Sequence, residues 1–180
     1  MASAINILNA SKLEDERLAE LSQVVGQVFG LRTYVTPALL NLDRAFDASR
    51  GQYNSTALLV QLLNQYGQSD DKRIAVVAVD LFIPVLTFVF GEAQLKGPAA
   101  VVSTVRLSNP FYGLPKDEDL SLRRLEKEVV HELGHTFGLY HCHQFECVMR
   151  SSTYVEELDL KRLSPCPDCN GQLKGLMLNK

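Results

Sequence analysis

The run His131-Glu132-Leu133-Gly134-His135-Thr136-Phe137-Gly138-Leu139-Tyr140-His141 constrains this chain more than any other stretch. Residues four apart share one face of a helix, so His131 and His135 can reach a single metal ion. Glu132 between them is placed to take the proton of a water at that ion. Gly138 follows three residues after the second histidine, where a helix can end at positive φ, and the turn would bring His141 back to the same metal. Three nitrogen ligands leave a fourth position open for water, the arrangement of a zinc hydrolase. The chain has four histidines in all, so three at this spacing argue against a chance match. The fourth, His143, reads at least as well as a solvated loop residue as it does as a catalytic one.

The helix carrying the motif has a consistent phase. At about 100° per residue, Leu122, Leu125, Val129 and Leu133 form a stripe roughly opposite His131, His135 and Gly138. Asp117, Glu118 and Asp119 suit the positive end of a helix dipole, which predicts a helix over Asp119 to Leu139.

All four cysteines come directly afterwards: Cys142, Cys147, Cys166 and Cys169. Cys166-Pro167-Asp168-Cys169 has the spacing at which two sulfurs bite one tetrahedral ion, and Cys142 and Cys147 are close enough to supply the other pair. Four thiolates make a closed structural zinc site. Two disulfides are the alternative, with three possible pairings, in a secreted protein. The opening residues have neither the basic region nor the apolar run of a secretory segment, which favours zinc, a cytoplasmic setting and no latency propeptide. Because neighbouring side chains of extended backbone point to opposite sides, His141 and Cys142 could serve two separate ions.

The run His131 to His141 resembles the elongated zinc signature of the metzincin clan, with Met149 standing where those proteins have the methionine of their turn beneath the metal. The cysteine set narrows the resemblance to the archaemetzincins, or archaelysins. It extends upstream through Phe46-Asp47, Arg50-Gly51-Gln52-Tyr53-Asn54-Ser55 and Val79-Asp80-Leu81-Phe82, and no metal-binding position departs from the pattern. The resemblance implies one compact metallopeptidase domain over residues 1–180 with two zinc ions, one catalytic and one cysteine-bound. It also implies peptide substrates, which some archaemetzincins attack as aminopeptidases. The expected division is an N-terminal part, residues 1–138, with the sheet and active-site helix, and a small zinc-stabilised C-terminal subdomain, residues 139–180. Met149 is expected to shape the floor of the site without binding zinc, and Phe137 or Leu139 to help bury the metal helix.

A length of 180 residues suits one domain, and a net charge of −3 gives no basic surface to argue for nucleic acid or anionic membrane. No apolar run is long enough to span a membrane. In chain order the patterning predicts a strand at Ile5–Leu8, a helix from Lys12 to about Phe29 capped by Ser11 and ended by Gly30, and a strand at Arg32–Thr36. A loop over Ala38–Arg50 precedes a helix capped by Asn54 or Ser55 and running to about Gln65. Strands are predicted at Arg73–Val79, Leu86–Phe90 and Ala99–Arg106, then a loop over Ser108–Lys116 and a late helix at Val155–Leu163. This is an α/β (α+β) pattern: a mixed, mostly parallel twisted sheet with packed helices. By likeness to metzincins, Leu86–Phe90 would be the edge strand that receives substrate as an added strand, although an interior strand fits it equally well.

The mechanism expected is hydrolysis in which zinc polarises the scissile carbonyl and Glu132 moves the proton from water to the leaving amine. Tyr140 and Tyr154 could donate to an oxyanion but read more naturally as packing residues. Asp47, Asp80 and Glu92 are each able to bind a substrate's free amine, and none stands out. The rival reading is a weakly active or non-catalytic zinc-binding interaction module on the same fold.

Overall fold

The structure is a computed structural model that describes residues 2–66 and 70–178. Five strands make the main sheet: β1 (Ala4–Ala10), β2 (Arg32–Pro37), β5 (Lys72–Val77), β7 (Gly91–Ala93) and β8 (Ala99–Ser103). Their spatial order is β2-β1-β5-β8-β7; all neighbours run parallel except β7, which lies antiparallel on β8. A smaller sheet joins β3 (Phe46–Asp47), β4 (Gln52–Asn54) and β6 (Leu81–Phe82).

Alternation along the central strands divides the core. Ile5, Ile7, Ile74, Val76, Ala100 and Val102 face α1 (Asp15–Phe29) and α3 (Glu118–Phe137). Leu8, Ala75, Val77, Ala99 and Val101 face Leu58, Leu59 and Leu62 of α2 (Ser55–Tyr66). Both faces are covered, which is why these strands read as near-continuous apolar runs. Beyond α3 the chain carries α4 (Val155–Asp159) and α5 (Pro167–Leu178), whose Val155, Leu158, Cys169 and Leu173 join the α3 side of the core.

The helix of the metal motif starts and stops as its residues dictate. Asp117 caps it by accepting the Leu120 N–H at 2.8 Å, and Glu118 and Asp119 occupy the first turn. Gly138 ends it at φ 109°, with its N–H shared between the carbonyls of Gly134 and His135. A side chain there would be strained, so the position requires glycine.

Several expectations are corrected. Leu86–Phe90 is a lip rather than a strand: Val89 makes a single bridge to Leu81 of the smaller sheet and the Phe90 carbonyl accepts the Ser103 N–H of β8 at 2.8 Å, while the edge is β7. Its apolar residues serve packing instead: Phe88 and Phe90 meet edge to face at 5.3 Å, and the Arg106 guanidinium lies 4.1 Å over Phe88. The first helix begins at Asp15, because Ser11 is engaged in a turn, bonded to Asn9 Oδ1 and accepting the Leu13 N–H at 3.2 Å. The strand from Ala99 stops at Ser103 in favour of a 3-10 turn over Val105–Leu107, and the helix from Val155 stops at Asp159. The α5 helix was not anticipated. Among the described residues, no helix is long and apolar enough to cross a membrane.

Candidate metal centre

One ring nitrogen from each of His131, His135 and His141 lies within 4.8 Å of the others. His131 is buried on α3, His135 is partly covered and His141, past the Gly138 turn, is exposed. Second partners fix the rings. His131 Nδ1 lies 2.8 Å from the Val148 carbonyl and His135 Nδ1 lies 2.7 Å from the Leu139 carbonyl. A carbonyl can only accept, so each Nδ1 carries the proton and each Nε2 is left with a bare lone pair. Yet the two Nε2 atoms face each other at 3.1 Å. Two lone pairs at that distance repel unless a cation sits between them, and two nitrogens sharing a tetrahedral zinc are about 3.3 Å apart when each bond is about 2.0–2.1 Å. The donor set therefore fits a divalent ion.

Burial holds the His131 imidazole well below its usual pKa, with the charges of His135 and Lys161 adding to it; burial lowers His135 and His141 as well. Neutral imidazoles are what a metal requires.

Glu132 is buried beside the histidines, and burial first, then the Glu128 and Glu92 carboxylates, pushes its carboxyl well above the usual range. Its position is set by Gly91 on the edge strand: a Cβ there would lie 2.7 Å from both Glu132 Cγ and the Val101 carbonyl oxygen. Only a residue without a side chain lets α3 and the sheet edge approach this closely. Met149 is fully buried, and its sulfur occupies the space a Cβ on Gly134 would need, so the turn packs directly beneath the helix between the two histidines.

The cleft in front of these groups has a volume of about 430 Å³. The lip Leu86–Phe90 and strand β7 form one wall, Ser151–Thr153 the other, and His131, Glu132, His135 and His141 the floor. Glu92 and Glu128 also line it, with no lysine or arginine among the lining residues.

A second cluster adjoins the first. The sulfurs of Cys142, Cys147, Cys166 and Cys169 lie within 4.8 Å of one another and form no disulfide. Cys142 and Cys166 sulfurs are 3.8 Å apart, the separation of two thiolates about 2.3 Å from a shared tetrahedral zinc. Backbone N–H groups point at the sulfurs, from Cys166 to Cys147 at 3.3 Å and from Gln144 to Cys142 at 3.4 Å. Burial raises the Cys147 and Cys169 thiols, whereas at Cys166 burial is outweighed by the Cys169 N–H and neighbouring thiols, which lower it.

The model of Peptidase family M54 matches residues 13–175. The chain belongs to peptidase family M54. An archaemetzincin of Methanocaldococcus jannaschii is 38% identical over 174 residues, 97% of this chain and 94% of that one. Among solved structures, a zinc-dependent peptidase of Methanocorpusculum labreanum matches with a TM-score of 0.84 at 30% identity, over 94% of this chain and 99% of its own. The Archaeoglobus fulgidus archaemetzincin, crystallised with malonate, matches with a TM-score of 0.78 at 34% identity, over 94% and 99%. As an M54 peptidase with this fold, the protein is a zinc metallopeptidase.

Other predicted participants of the M54 site sort by position. Tyr140 and Tyr154 are 66% and 67% exposed and neither lines the cleft, so they are not packing residues. Exposed His143 belongs to neither cluster, as a loop residue would. Asp80 is bound by the Arg106 guanidinium and by Gln52, and Asp47 accepts from Ser49. Of the three acids considered for amine binding, only Glu92 faces the cleft, accepting from Ser55 at 2.5 Å and from Thr56 at 2.9 Å. Sequence reasoning missed the close approaches at Gly91 and Gly134, and it missed Glu128 and Lys161. Their signal is weak: Gly91 is a glycine beside a predicted strand, Gly134 a glycine inside the motif helix, Glu128 a charged residue in a buried helical stretch, and Lys161 a buried lysine between exposed neighbours.

Proposed function

We propose that this zinc metallopeptidase binds two ions, one held by His131, His135 and His141 and one by Cys142, Cys147, Cys166 and Cys169. The observation that carries the first assignment is the 3.1 Å approach of two Nε2 atoms whose Nδ1 partners are both committed to carbonyls. When bound, the histidine-site zinc supplies a Lewis acid for the scissile carbonyl and makes water acidic near neutral pH. Glu132 then acts as the proton carrier: its carboxylate takes a proton from the attacking water and hands it to the leaving amine nitrogen. Its buried, acid-rich surroundings raise its pKa above the ordinary carboxylate range, which makes the carboxylate a stronger proton acceptor.

The substrate's main chain is held along β7. Register with β8 leaves Gly91 and Ala93 with their N–H and C=O directed away from the sheet, toward the cleft. Glu92 favours an aminopeptidase, because its carboxylate has no basic partner among the cleft-lining residues and suits a substrate's free ammonium. The segment 139–180 acts as a small subdomain braced by the cysteine-bound zinc, and thiolates that must stay reduced favour a cytoplasmic setting.

A peptide library with free and with blocked amino ends, assayed with and without a chelator, tests the whole reading. Chelator-sensitive cleavage of free-ended peptides supports an aminopeptidase, and equal cleavage of blocked peptides supports internal cutting. Zinc binding with no turnover of any peptide would leave the interaction module as the better description.

A further inference from the structure

Lys161 follows α4, and its side chain is 1% exposed. A buried ammonium is retained only where it is paired and hydrogen-bonded, and every acceptor near this one belongs to the metal-site scaffold. Nζ donates to the Arg150 carbonyl and reaches the Val148 carbonyl at 3.5 Å, with Glu128 Oε1 of α3 at 4.0 Å. The Val148 oxygen is the same one that takes the His131 Nδ1 proton at 2.8 Å.

The turn beneath the site is thus tied through three successive carbonyls. Val148 binds His131 and Lys161, Met149 accepts the Cys142 N–H at 3.0 Å, and Arg150 binds Lys161. Docking of α4 on α3 does not depend on this lysine. Arg124 forks onto Asp159 at 2.7 and 2.8 Å, and Lys127 Nζ donates to the Leu158 carbonyl at 2.7 Å. The Lys161 side chain instead reaches past α4 to the turn.

We propose that Lys161 is a positioning residue for the histidine site. By holding the Val148 and Arg150 carbonyls, it keeps the acceptor that locks His131 with its proton on Nδ1, so that Nε2 is presented to the ion. The inference rests on the reading of His131 as a metal ligand. Direct partners of a ligand, as the Val148 carbonyl is of His131, typically change metal affinity or activity by about 10–100-fold when removed; Lys161 stands one contact further back, so its loss is expected to cost no more than the lower end of that range.

The test uses the full chain as Lys161→Met, Lys161→Gln and, as a control for α4 docking, Lys127→Met. Zinc affinity of the histidine site is measured by competition with a chromophoric chelator, and the same site loaded with cobalt is followed by its visible absorption. Lys161→Met is expected to keep the cysteine-bound zinc and the wild-type circular dichroism, to weaken histidine-site zinc by up to about 10-fold, and to alter the cobalt spectrum. Lys161→Gln, which keeps a donor, should recover part of the affinity, and Lys127→Met should lower the melting temperature with affinity unchanged. Wild-type affinity and spectrum in a folded Lys161→Met would overturn the proposal, as would a loss in Lys127→Met that tracks stability equally. Should Lys161→Met not fold, Lys161→Gln decides by the same affinity measurement, with wild-type values refuting and an intermediate loss supporting. If the parent protein itself binds no zinc that His131→Ala removes, the ligand assignment has failed rather than the role of Lys161.

Discussion

His131 Nδ1 lies 2.8 Å from the carbonyl of Val148, seventeen residues further along the chain. That bond joins the metal helix to the turn under it and leaves Nε2 free for an ion. Because burial, aided by neighbouring charges, holds the three imidazoles below their ordinary range, protons compete with zinc only under more acidic conditions. The sign is definite: a depressed folded pKa keeps the ring neutral, and so metal-competent, as pH falls through the ordinary value of about 6.5. Histidine-site zinc affinity should stay nearly flat from about pH 7.5 to 6.5 and decline only below that. Chelator competition across the range checks this, and a decline already complete at pH 6.5 would contradict it.

Replacing Glu132, the proposed proton carrier, tests chemistry apart from metal binding. Glu132→Ala should retain the parent's zinc content while the turnover number drops by about 10²–10⁴-fold. Metal analysis alongside peptide turnover decides, and near-normal hydrolysis in that variant would rule out Glu132 as the base.

Gly91→Ala adds a methyl 2.7 Å from Glu132 Cγ and from the Val101 carbonyl. Neither the backbone nor the buried carboxylate can move without disturbing the cleft. A displacement of about 1 Å at a catalytic group can cost about 10²-fold, so turnover should fall far more than thermal stability. Comparing the turnover number with the melting temperature distinguishes this from general damage.

Gly134→Ala presents a conflict between local and tertiary effects. Alanine favours an isolated helix by about 0.8–1.0 kcal/mol over glycine, but the Met149 sulfur already fills the space its Cβ needs. Overpacking of a filled core typically costs about 1–3 kcal/mol, so the variant should be less stable than the parent. Combining it with Met149→Ala should restore part of that loss, a non-additivity that denaturant midpoints of the single and double variants would measure.

Cys169→Ser should bind one equivalent of zinc fewer than the parent and become sensitive to proteolysis beyond residue 139. Because His141 and Cys142 are adjacent, and the Cys142 N–H holds the Met149 carbonyl at 3.0 Å, the histidine site should weaken as well. Zinc content near the parent's in this variant would argue against a thiolate cage.

The motif helix was legible because its histidines, cap and terminating glycine lie within a few turns of one another, so local periodicity suffices. The central strands were legible because both faces are buried. The sheet edge was not: Leu86–Phe90 has the apolarity of a strand, but that apolarity serves aromatic packing and an arginine contact, while the true edge, Gly91–Ala93, is short and nearly featureless. Gly91, Gly134 and Lys161 were invisible for a related reason. Their roles depend on what a distant segment brings against them, which neither propensity nor spacing records. The helix over Pro167–Leu178 buries only Cys169 and Leu173 as full core positions, too few to produce a stripe.

Strand β7 spans three residues, and only Gly91 and Ala93 turn their amide groups outward. A polypeptide laid there is gripped over a very short footprint. Such a grip discriminates poorly between one stretch of backbone and another, so selectivity must come from the few side chains bordering the scissile bond. Cleavage products, holding on by the same small purchase, should depart readily.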